Sequence, residues 1–180
     1  MANKKITLIP GWMRTVKYYK KYLGRNIWTD KIDTKTKINT KYIVSHSIGS
    51  FFALFNWNLN KNTKLILINP LLPNRSILNW VFRWLKYMLS EKVDYDKNMS
   101  ILNIFHSIKE FFSLSSINLM KIIKKIPKNK IIIIRGKNDK YFCDEESVKI
   151  LKKNKIGIIE VKNAGHSWNK KFDEVIEKFV

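Results

Sequence analysis

The sequence predicts an α/β protein with a mostly parallel sheet of about six strands, covered by helices on both faces. Two observations support this prediction. Short β-prone segments alternate with helical segments along most of the chain, and several strands are apolar at almost every position, as strands buried on both faces are. The stretches KLILI (64–68) and KIIIIRG (130–136) show this second feature most clearly. With 180 residues and 45% hydrophobic content, the chain can form one compact core, so we expect a single domain over 1–180.

The first half of the chain contains strands and helices in alternation. We predict strands where aliphatic and β-branched residues are contiguous, and helices where apolar residues recur every three or four positions. Glycine and proline mark several of the segment ends. The expected elements are a strand at 5–9, a helix at 14–23, a weak strand at 26–29, a strand at 41–44, a helix at 48–57 and a strand at 64–68.

The region 71–128 interrupts this alternation, because it shows no convincing strand and at least three helical patterns. We predict that it is a helical cap or lid inserted before the penultimate strand. The elements expected after it are a strand at 130–136, a helix at 144–153, a strand at 155–161 and a closing helix at 171–179.

The cap helices are unusually apolar. In 76–91 the polar residues recur at spacings of four, three and four, so only a narrow stripe faces water. Three interpretations remain open: the helices simply pack on the sheet, they form a lid over an apolar pocket, or they present a face to a membrane. For a lid, we expect Trp80, Trp84 and Phe105 to line the substrate pocket.

The net charge of +21 would suit nucleic acid or another anionic partner. Lys, Asn and Ile are frequent throughout the chain, however, which favours a compositionally basic surface. The longest basic cluster, KIIKKIPKNK (121–130), lacks interleaved aromatic residues, so we do not expect nucleic-acid binding.

Cysteine and histidine usage narrows the class of protein further. Cys143 is the single cysteine and there are three scattered histidines, so we expect neither a disulfide framework nor a metal site. No segment offers about 18 uninterrupted apolar residues, and the N-terminal MANKKITLIPGW lacks the apolar core of a signal peptide. We therefore expect a cytoplasmic protein without a transmembrane segment, with peripheral membrane contact left open.

Ligands of an open parallel sheet bind at the carboxyl ends of its strands, so the residues after each predicted strand are candidates for a site. They are Pro10-Gly11-Trp12, Ser47, Asn69-Pro70, Asp139 and His166. Serine, aspartate and histidine in this chain order, each just past a strand, form the set that nucleophilic acyl transfer requires. A serine before a helix is also a common N-cap, so Ser47 by itself would indicate little.

Two serines, Ser45 and Ser47, compete for the role of nucleophile. A nucleophilic serine on a sharp strand-to-helix turn has a strained backbone, and the residues two positions before and after it must be small. Around Ser47 these positions hold Ser45 and Gly49, which are both small. Around Ser45 the earlier position holds Ile43, which is β-branched and too large. The steric requirement therefore favours Ser47.

The segment SHSIG (45–49) resembles the GxSxG motif of the α/β-hydrolase family, with Ser45 where the family usually has its first glycine. His166 in NAGHSW follows the last predicted strand, as the family's histidine does. Asp139 in RGKNDKYFCDEES resembles the family's Gly-x-x-Asp segment after the penultimate strand. The resemblance spans nearly the whole chain, without the two-stranded N-terminal hairpin of larger members, and implies a minimal α/β-hydrolase fold.

The resemblance implies a role for each of these residues. Ser47 would be the nucleophile, His166 the base, and Asp139 the acid that orients the histidine. Asp144 is the rival acid, but it is better placed to cap the following helix. The other two histidines lack the chain position of the base, and we expect them to be structural.

A second pair of groups would stabilise the oxyanion. LIPGWM (8–13) resembles the family's His-Gly-x turn, with Pro10 in place of the histidine. The resemblance implies that the backbone N–H groups of Trp12 and Ile48 form the oxyanion hole. Because both donors are backbone groups, the replacement by Pro10 leaves this chemistry unchanged. Trp12 would also suit simple core packing, and the two roles are compatible.

These features predict a serine hydrolase that cleaves a carboxylic ester, or alternatively a thioester, with an apolar acyl or aromatic part. No metal and no organic cofactor is expected. A small-molecule substrate is the expected partner, and the basic charge also suits an acidic carrier protein. The alternative is a non-catalytic α/β-hydrolase scaffold whose basic surface binds an acidic protein, nucleic acid or lipid. Haloperoxidase-like, lyase and acyltransferase reactions use the same triad, and the sequence does not separate them.

Overall fold

The structure of the protein, a computed structural model, describes residues 6–25, 27, 37–91 and 100–180. In this part of the chain, parallel strands form one sheet in which spatial order follows chain order. Every neighbouring pair is therefore linked by a crossover connection. The strands are β1 Ile6–Ile9, β2 Tyr42–His46, β3 Lys64–Ile68, β4 Ile131–Gly136 and β5 Ile159–Val161.

Helices cover both faces of this sheet. They are α1 Gly49–Leu59, α2 Ile77–Glu91, α3 Ile101–Ser115, α4 Leu119–Ile123, α5 Glu145–Lys153 and α6 Lys170–Ile176. On β3, Leu65 and Leu67 belong to a core cluster that contains Phe51 of α1. Ile66 belongs to the cluster on the opposite face, which contains Phe172 of α6. The α/β class, the parallel sheet and its two covered faces are thus confirmed.

The strand count differs slightly from the prediction of about six. The segment 26–29, predicted as a weak strand, lies outside the described residues except for Ile27, which sits in a turn. Beside β1, Leu8 instead forms an isolated parallel bridge with Gly24. A Cβ atom at Gly24 would lie 2.2 Å from the carbonyl oxygen of Leu8, so this close approach requires glycine. The described sheet has five strands.

The predicted helix at 14–23 is wrong. The described segment forms only a short 3₁₀ helix, Val16–Tyr19. Lys20 follows with φ of 48°, in the left-handed region, which ends the helical turn. Beyond it, the carbonyl oxygen of Leu23 accepts a hydrogen bond from the N–H of Leu8 in β1, which holds the segment in an extended path.

The described part of the region between β3 and β4 contains helices and no strand, as predicted for the cap. Helices α2 and α3 pack against each other, whereas α4 packs against α1 and belongs to the layer that covers the sheet. Helices α2 and α3 each have 15 residues. None of the described helices has both the length and the hydropathy that a membrane crossing requires.

Candidate active site

Ser47 lies on the turn between β2 and α1, at the carboxyl end of the sheet. Its φ is 55°, a left-handed conformation that is unfavourable for a residue with a side chain. The N–H of Ser47 donates to the carbonyl oxygen of Ile68 at 2.8 Å, which holds the turn against the end of β3. Backbone strain of this kind, about 1–3 kcal/mol, persists only where the surroundings impose it, and it is common at functional sites.

The two residues that flank this turn are small for identifiable reasons. A Cβ atom at Gly49 would lie 2.4 Å from the carbonyl oxygen of Pro10, so a larger residue would push the turn away from β1. Ser45 is fully buried, and its hydroxyl donates to Oγ of Ser50 at 3.2 Å. The serine that replaces a glycine in the motif therefore has its polar atom paired inside the core.

A chain of hydrogen bonds links Ser47, His166 and Asp139. Oγ of Ser47 lies 2.9 Å from Nε2 of His166, and Nδ1 of the same ring lies 2.7 Å from Oδ2 of Asp139. Because a carboxylate only accepts, Nδ1 carries the proton and Nε2 is free to accept from the serine hydroxyl. All three side chains are buried. The tautomer thus leaves a basic nitrogen facing the serine.

The carboxylate of Asp139 is stabilised in its charged form. Its Oδ1 accepts backbone hydrogen bonds from Tyr141 at 2.9 Å and Phe142 at 3.1 Å, and Oδ2 accepts one from Cys143 at 3.1 Å. Burial alone raises the pKa of Asp139, but the interaction with His166 and the hydrogen bonds outweigh it and bring this pKa to about 2. Asp139 is therefore ionised at neutral pH.

Asp144, the rival acid, has a different task. Its Oδ1 accepts from the N–H of Ser147 at 3.2 Å, so it is the N-cap of α5. Its Oδ2 forms ion pairs with Arg75 at 2.7 Å and Arg83 at 2.8 Å. Burial raises the pKa of Asp144, and the hydrogen bond and charge of Arg75 lower it below the ordinary value. This residue ties α2 to α5.

The loop that carries His166 is fixed by Asn69, the residue after β3. Its Nδ2 donates to the carbonyl oxygens of Gly165 at 3.0 Å and His166 at 2.9 Å. Its Oδ1 accepts from the N–H of Gly136 at 2.7 Å. A Cβ atom at Gly136 would lie 2.2 Å from the Gly165 carbonyl oxygen, so glycine is needed for the two loops to meet.

A buried relay through His46 connects the turn after β1 with the histidine loop. The hydroxyl of Tyr19 accepts from the N–H of Gly11 at 2.7 Å and lies 2.9 Å from Nδ1 of His46. The carbonyl oxygen of His166 can only accept, so Nε2 of His46 carries the ring proton and donates to it at 2.9 Å. Nδ1 of His46 therefore accepts a hydrogen bond from the Tyr19 hydroxyl. Burial, together with the charge of His166, lowers the pKa of His46 to about 3, so this ring stays neutral.

Glu91, at the end of α2, attaches the cap to the same loop. Its Oε2 accepts from the Ser167 hydroxyl at 2.8 Å, and Oε1 lies 3.5 Å from the N–H of His166. Tyr87, one turn earlier, shares a hydrogen bond of 2.8 Å between its hydroxyl and that of Ser167. The sequence did not single out Glu91, Tyr87 or Tyr19, since these links join residues far apart in the chain.

Trp12 and Ile48 lie on the turns after β1 and β2, and both line the cavity at Ser47. Among the described residues, no hydrogen bond uses the backbone N–H of either one. The indole of Trp12 donates to the carbonyl oxygen of Ser107 at 3.0 Å and stacks on Phe111 at 4.4 Å between ring centroids. Trp12 therefore also packs against α3, and both predicted roles remain compatible.

An apolar cavity opens beside Ser47, between the sheet end and the cap. Its walls include Ser47, His166 and several large apolar side chains: Trp12, Leu71, Trp84, Met88, Phe111 and Phe142. Aromatic and aliphatic walls with a few convergent polar groups are typical of a small-molecule site.

Of the three predicted pocket residues, only Trp84 lines this cavity. Trp80 lies one turn earlier on α2, where it is buried against Phe142, with ring centroids 6.1 Å apart. Phe105 is 68% exposed, because it lies about a third of a helical turn around α3 from the buried Phe111 and faces solvent. The predictions for Trp80 and Phe105 are therefore wrong.

Comparison with family models and with curated proteins gives no match. Solved structures, in contrast, match over almost the whole chain. An α/β-hydrolase enzyme from the sediment metagenome of the Mar Chica lagoon, Morocco, aligns with a TM-score of 0.58 at 15% identity, covering 99% of this chain and 91% of that one. A structure from a study of carboxylesterases of the thaumarchaeon Nitrososphaera gargenis aligns with a TM-score of 0.59 at 12% identity, over 99% and 91% of the two chains.

A monoacylglycerol lipase of Paleococcus ferrophilus aligns with a TM-score of 0.51 at 12% identity, covering 99% of this chain and 95% of that one. Similarities at identities this low show the fold alone. The parallel sheet, the cap before the penultimate strand and these alignments agree: the chain has the α/β-hydrolase fold.

Proposed function

We propose that the protein is a serine hydrolase that cleaves a carboxylic ester, or a thioester, with an apolar acyl or aromatic part. One observation carries this proposal: Oγ of Ser47 lies 2.9 Å from Nε2 of His166, whose other nitrogen is held at 2.7 Å by the buried carboxylate of Asp139. A nucleophile, a base and an orienting acid within hydrogen-bond distance are the requirement for acyl transfer. The similar structures from the carboxylesterase study and of the monoacylglycerol lipase support a hydrolase of this kind.

The first half of the reaction forms an acyl-enzyme. Nε2 of His166 takes the proton of Ser47, and Oγ attacks the acyl carbon of the substrate. The oxyanion of the tetrahedral intermediate is held by the backbone N–H groups of Trp12 and Ile48. As the intermediate collapses, the imidazolium of His166 gives its proton to the departing alcohol or thiol. Asp139 stabilises the imidazolium without taking its proton.

The second half repeats these steps with water. His166 accepts a proton from water, the hydroxide attacks the acyl carbon, and the acid leaves as Oγ of Ser47 regains its proton. The Glu91, Asn69 and His46 contacts act on the backbone around His166, so they hold the ring in place during both halves. They are positioning residues in this scheme.

The cavity argues for the apolar character of the substrate. Trp12, Trp84 and Phe111 form a continuous aromatic cluster beside Ser47, with Trp12 and Trp84 centroids 4.9 Å apart. An acyl chain or aromatic ring in this cavity would replace water on these rings.

Turnover of p-nitrophenyl esters and the matching thioesters, over a range of acyl lengths, tests the proposal. We expect hydrolysis by the natural chain and a loss of about 10⁴-fold or more in Ser47→Ala. Ser45→Ala is the matched control. Among the described residues the Ser45 hydroxyl bonds only Ser50, so this variant should keep most of the activity. Equal turnover by the natural chain and Ser47→Ala would contradict the proposal. Inactivity of the natural chain towards every ester and thioester would favour a non-catalytic scaffold.

The charge of +21 also predicts that an acidic carrier protein bears the acyl group of the substrate. Attraction between a basic enzyme and an acidic carrier would be screened by salt. Hydrolysis of a carrier-bound ester should then fall steeply as salt rises, while hydrolysis of a free ester should not. Equal salt dependence of the two substrates would exclude this partner.

A further inference from the structure

The cap has an outer face that is apolar and exposed. The side chains that form this outer cap face are large aliphatic or aromatic groups on two adjacent helices, with Leu89 82% and Leu102 80% exposed. Single exposed apolar residues are ordinary, but rows of them on packed helices indicate a contact surface. The outer cap face consists of Leu78, Phe82, Leu85 and Leu89 on α2, and Leu102 and Phe105 on α3.

This face lies opposite the cavity. The α2 members follow one another at spacings of four, three and four residues, which places them along one side of the helix. Trp84 and Met88 line the cavity from the other side of the same helix. On α3, Phe111 lines the cavity while Phe105 points outward. Both helices are therefore apolar on two sides, and the cavity is lined from the inner side of each.

The fully exposed charges beside the outer cap face are basic. On the described parts of α2 and α3 they are Lys86 and Lys109, whereas Arg83, Glu91 and Glu110 are half-buried. The whole chain carries +21. Apolar side chains bordered by lysine are the pattern of helices that lie in the interface of an anionic bilayer.

The same charge disfavours a second copy of the chain as the occupant. Pairing two such faces would bring Lys86 and Lys109 of each copy together, along with two chains of +21. An anionic lipid surface buries the same apolar side chains and attracts the charge instead of repelling it.

We propose that the outer cap face docks on the surface of a bilayer that contains anionic phospholipid. The apolar rows enter the boundary between headgroups and acyl chains, and the lysines contact lipid phosphates. The cavity then lies on the other side of the same two helices, one helix thickness from the bilayer. Docking does not depend on the proposed hydrolase activity.

Sedimentation with vesicles of equal parts phosphatidylcholine and phosphatidylglycerol tests this contact. The test variant is Phe82→Ser/Leu89→Ser, which removes two exposed members of the face. The matched control is Leu23→Ser/Leu59→Ser, which removes two exposed leucines from outside the cap. Circular dichroism checks that both variants keep the fold of the natural chain.

We expect the natural chain and the control variant to bind these vesicles, and the test variant to bind at least about tenfold more weakly. Binding should weaken with pure phosphatidylcholine and at about 0.5 M salt. Ser47→Ala should bind like the natural chain, so a failure of the hydrolase proposal leaves this result unchanged.

Three results would overturn the proposal. The natural chain could fail to bind anionic vesicles. The test and control variants could bind equally, in which case charge alone holds the chain on the lipid. Finally, light scattering could show a dimer that Phe82→Ser/Leu89→Ser converts to a monomer, which would assign the face to a second copy.

Discussion

The carboxyl end of the sheet buries polar side chains, whereas the outer cap face exposes apolar ones. At the sheet end, Ser47, Asp139 and His166 are buried and joined by hydrogen bonds. On the outer cap face, Phe82 and Leu89 stand in solvent. Burying polar groups costs free energy unless each finds a partner, and exposing large apolar groups forgoes the gain from burial.

Both regions therefore depart from what stability alone would favour, and each departure serves a different function. The sheet end holds reactive groups in fixed geometry, whereas the outer cap face leaves surface available for a partner. Substitutions at the sheet end should change chemistry and stability strongly. Substitutions on the outer cap face should change neither, and should affect association alone.

After Ser47→Ala, the largest effect is expected from Asp139→Asn. The amide does not favour the tautomer in which Nδ1 of His166 carries the proton, so ester turnover should fall by about 10⁴-fold. Asp144→Asn is the matched control five residues away. It weakens the ion pairs with Arg75 and Arg83, so it should lower the free energy of unfolding by about 1–3 kcal/mol and leave turnover nearly unchanged. Equal losses of turnover in both variants would contradict the assignment of the acid.

The two sides of α3 provide the next contrast. Phe111→Ala removes a buried ring that stacks on Trp12, and we expect a loss of about 3–5 kcal/mol in the free energy of unfolding. Phe105→Ala, on the exposed side, should change it by less than about 0.5 kcal/mol. Urea denaturation of both variants measures the difference. Similar losses would mean that the outer side is covered in solution.

Two tyrosine substitutions compare the hydrogen bonds through His46 at the sheet end with those that attach the cap to the histidine loop. Tyr19→Phe removes the buried hydroxyl that accepts from the N–H of Gly11 and bonds Nδ1 of His46, so we expect a loss of about 1–3 kcal/mol in the free energy of unfolding. Tyr87→Phe should cost less, since the Ser167 hydroxyl keeps its bond to Glu91. Thermal unfolding ranks the two variants, and a larger loss in Tyr87→Phe would reverse the predicted order.

The pH dependence of stability tests the burial of His46. Its pKa is about 3 in the folded protein against an ordinary value of 6.5, so below pH 6.5 the unfolded chain binds a proton that the folded chain does not. The stabilisation is complete above pH 6.5 and is lost as the pH falls towards 3. Asp139 acts in the same direction between its ordinary 3.8 and about 2.

His46→Gln isolates this contribution, because glutamine offers an acceptor and a donor but does not titrate. Between about pH 6 and pH 4, the natural chain should lose up to about 1.4 kcal/mol per pH unit more than the variant. Denaturant unfolding across this range measures both slopes. Parallel slopes would show that His46 is not held neutral.

Sequence patterns predicted the parts of the molecule that local chemistry controls. Apolar runs such as KLILI located the strands, and the residues after them include Ser47, Asp139 and His166, which the structure brings together. The helix predicted at 14–23 was wrong because pairing with β1, a contact between distant segments, decides that region.

The same limit applies to the site's supporting residues. Glu91 lies 75 residues before His166 in the chain, and no local pattern indicates that its carboxylate reaches the histidine loop. The side of α3 that faces the cavity was also undetermined, because apolar residues occupy both sides of this helix. Phe105 was therefore assigned to the pocket that Phe111 lines.

The most direct test of the central claim is labelling with a fluorophosphonate probe, followed by mass spectrometry of the modified peptide. We expect one adduct on Ser47 in the natural chain and in Ser45→Ala, and none in Ser47→Ala. Full labelling of Ser47→Ala, or an adduct on Ser45, would contradict the assignment of the nucleophile. A natural chain that does not react would contradict the activated serine itself.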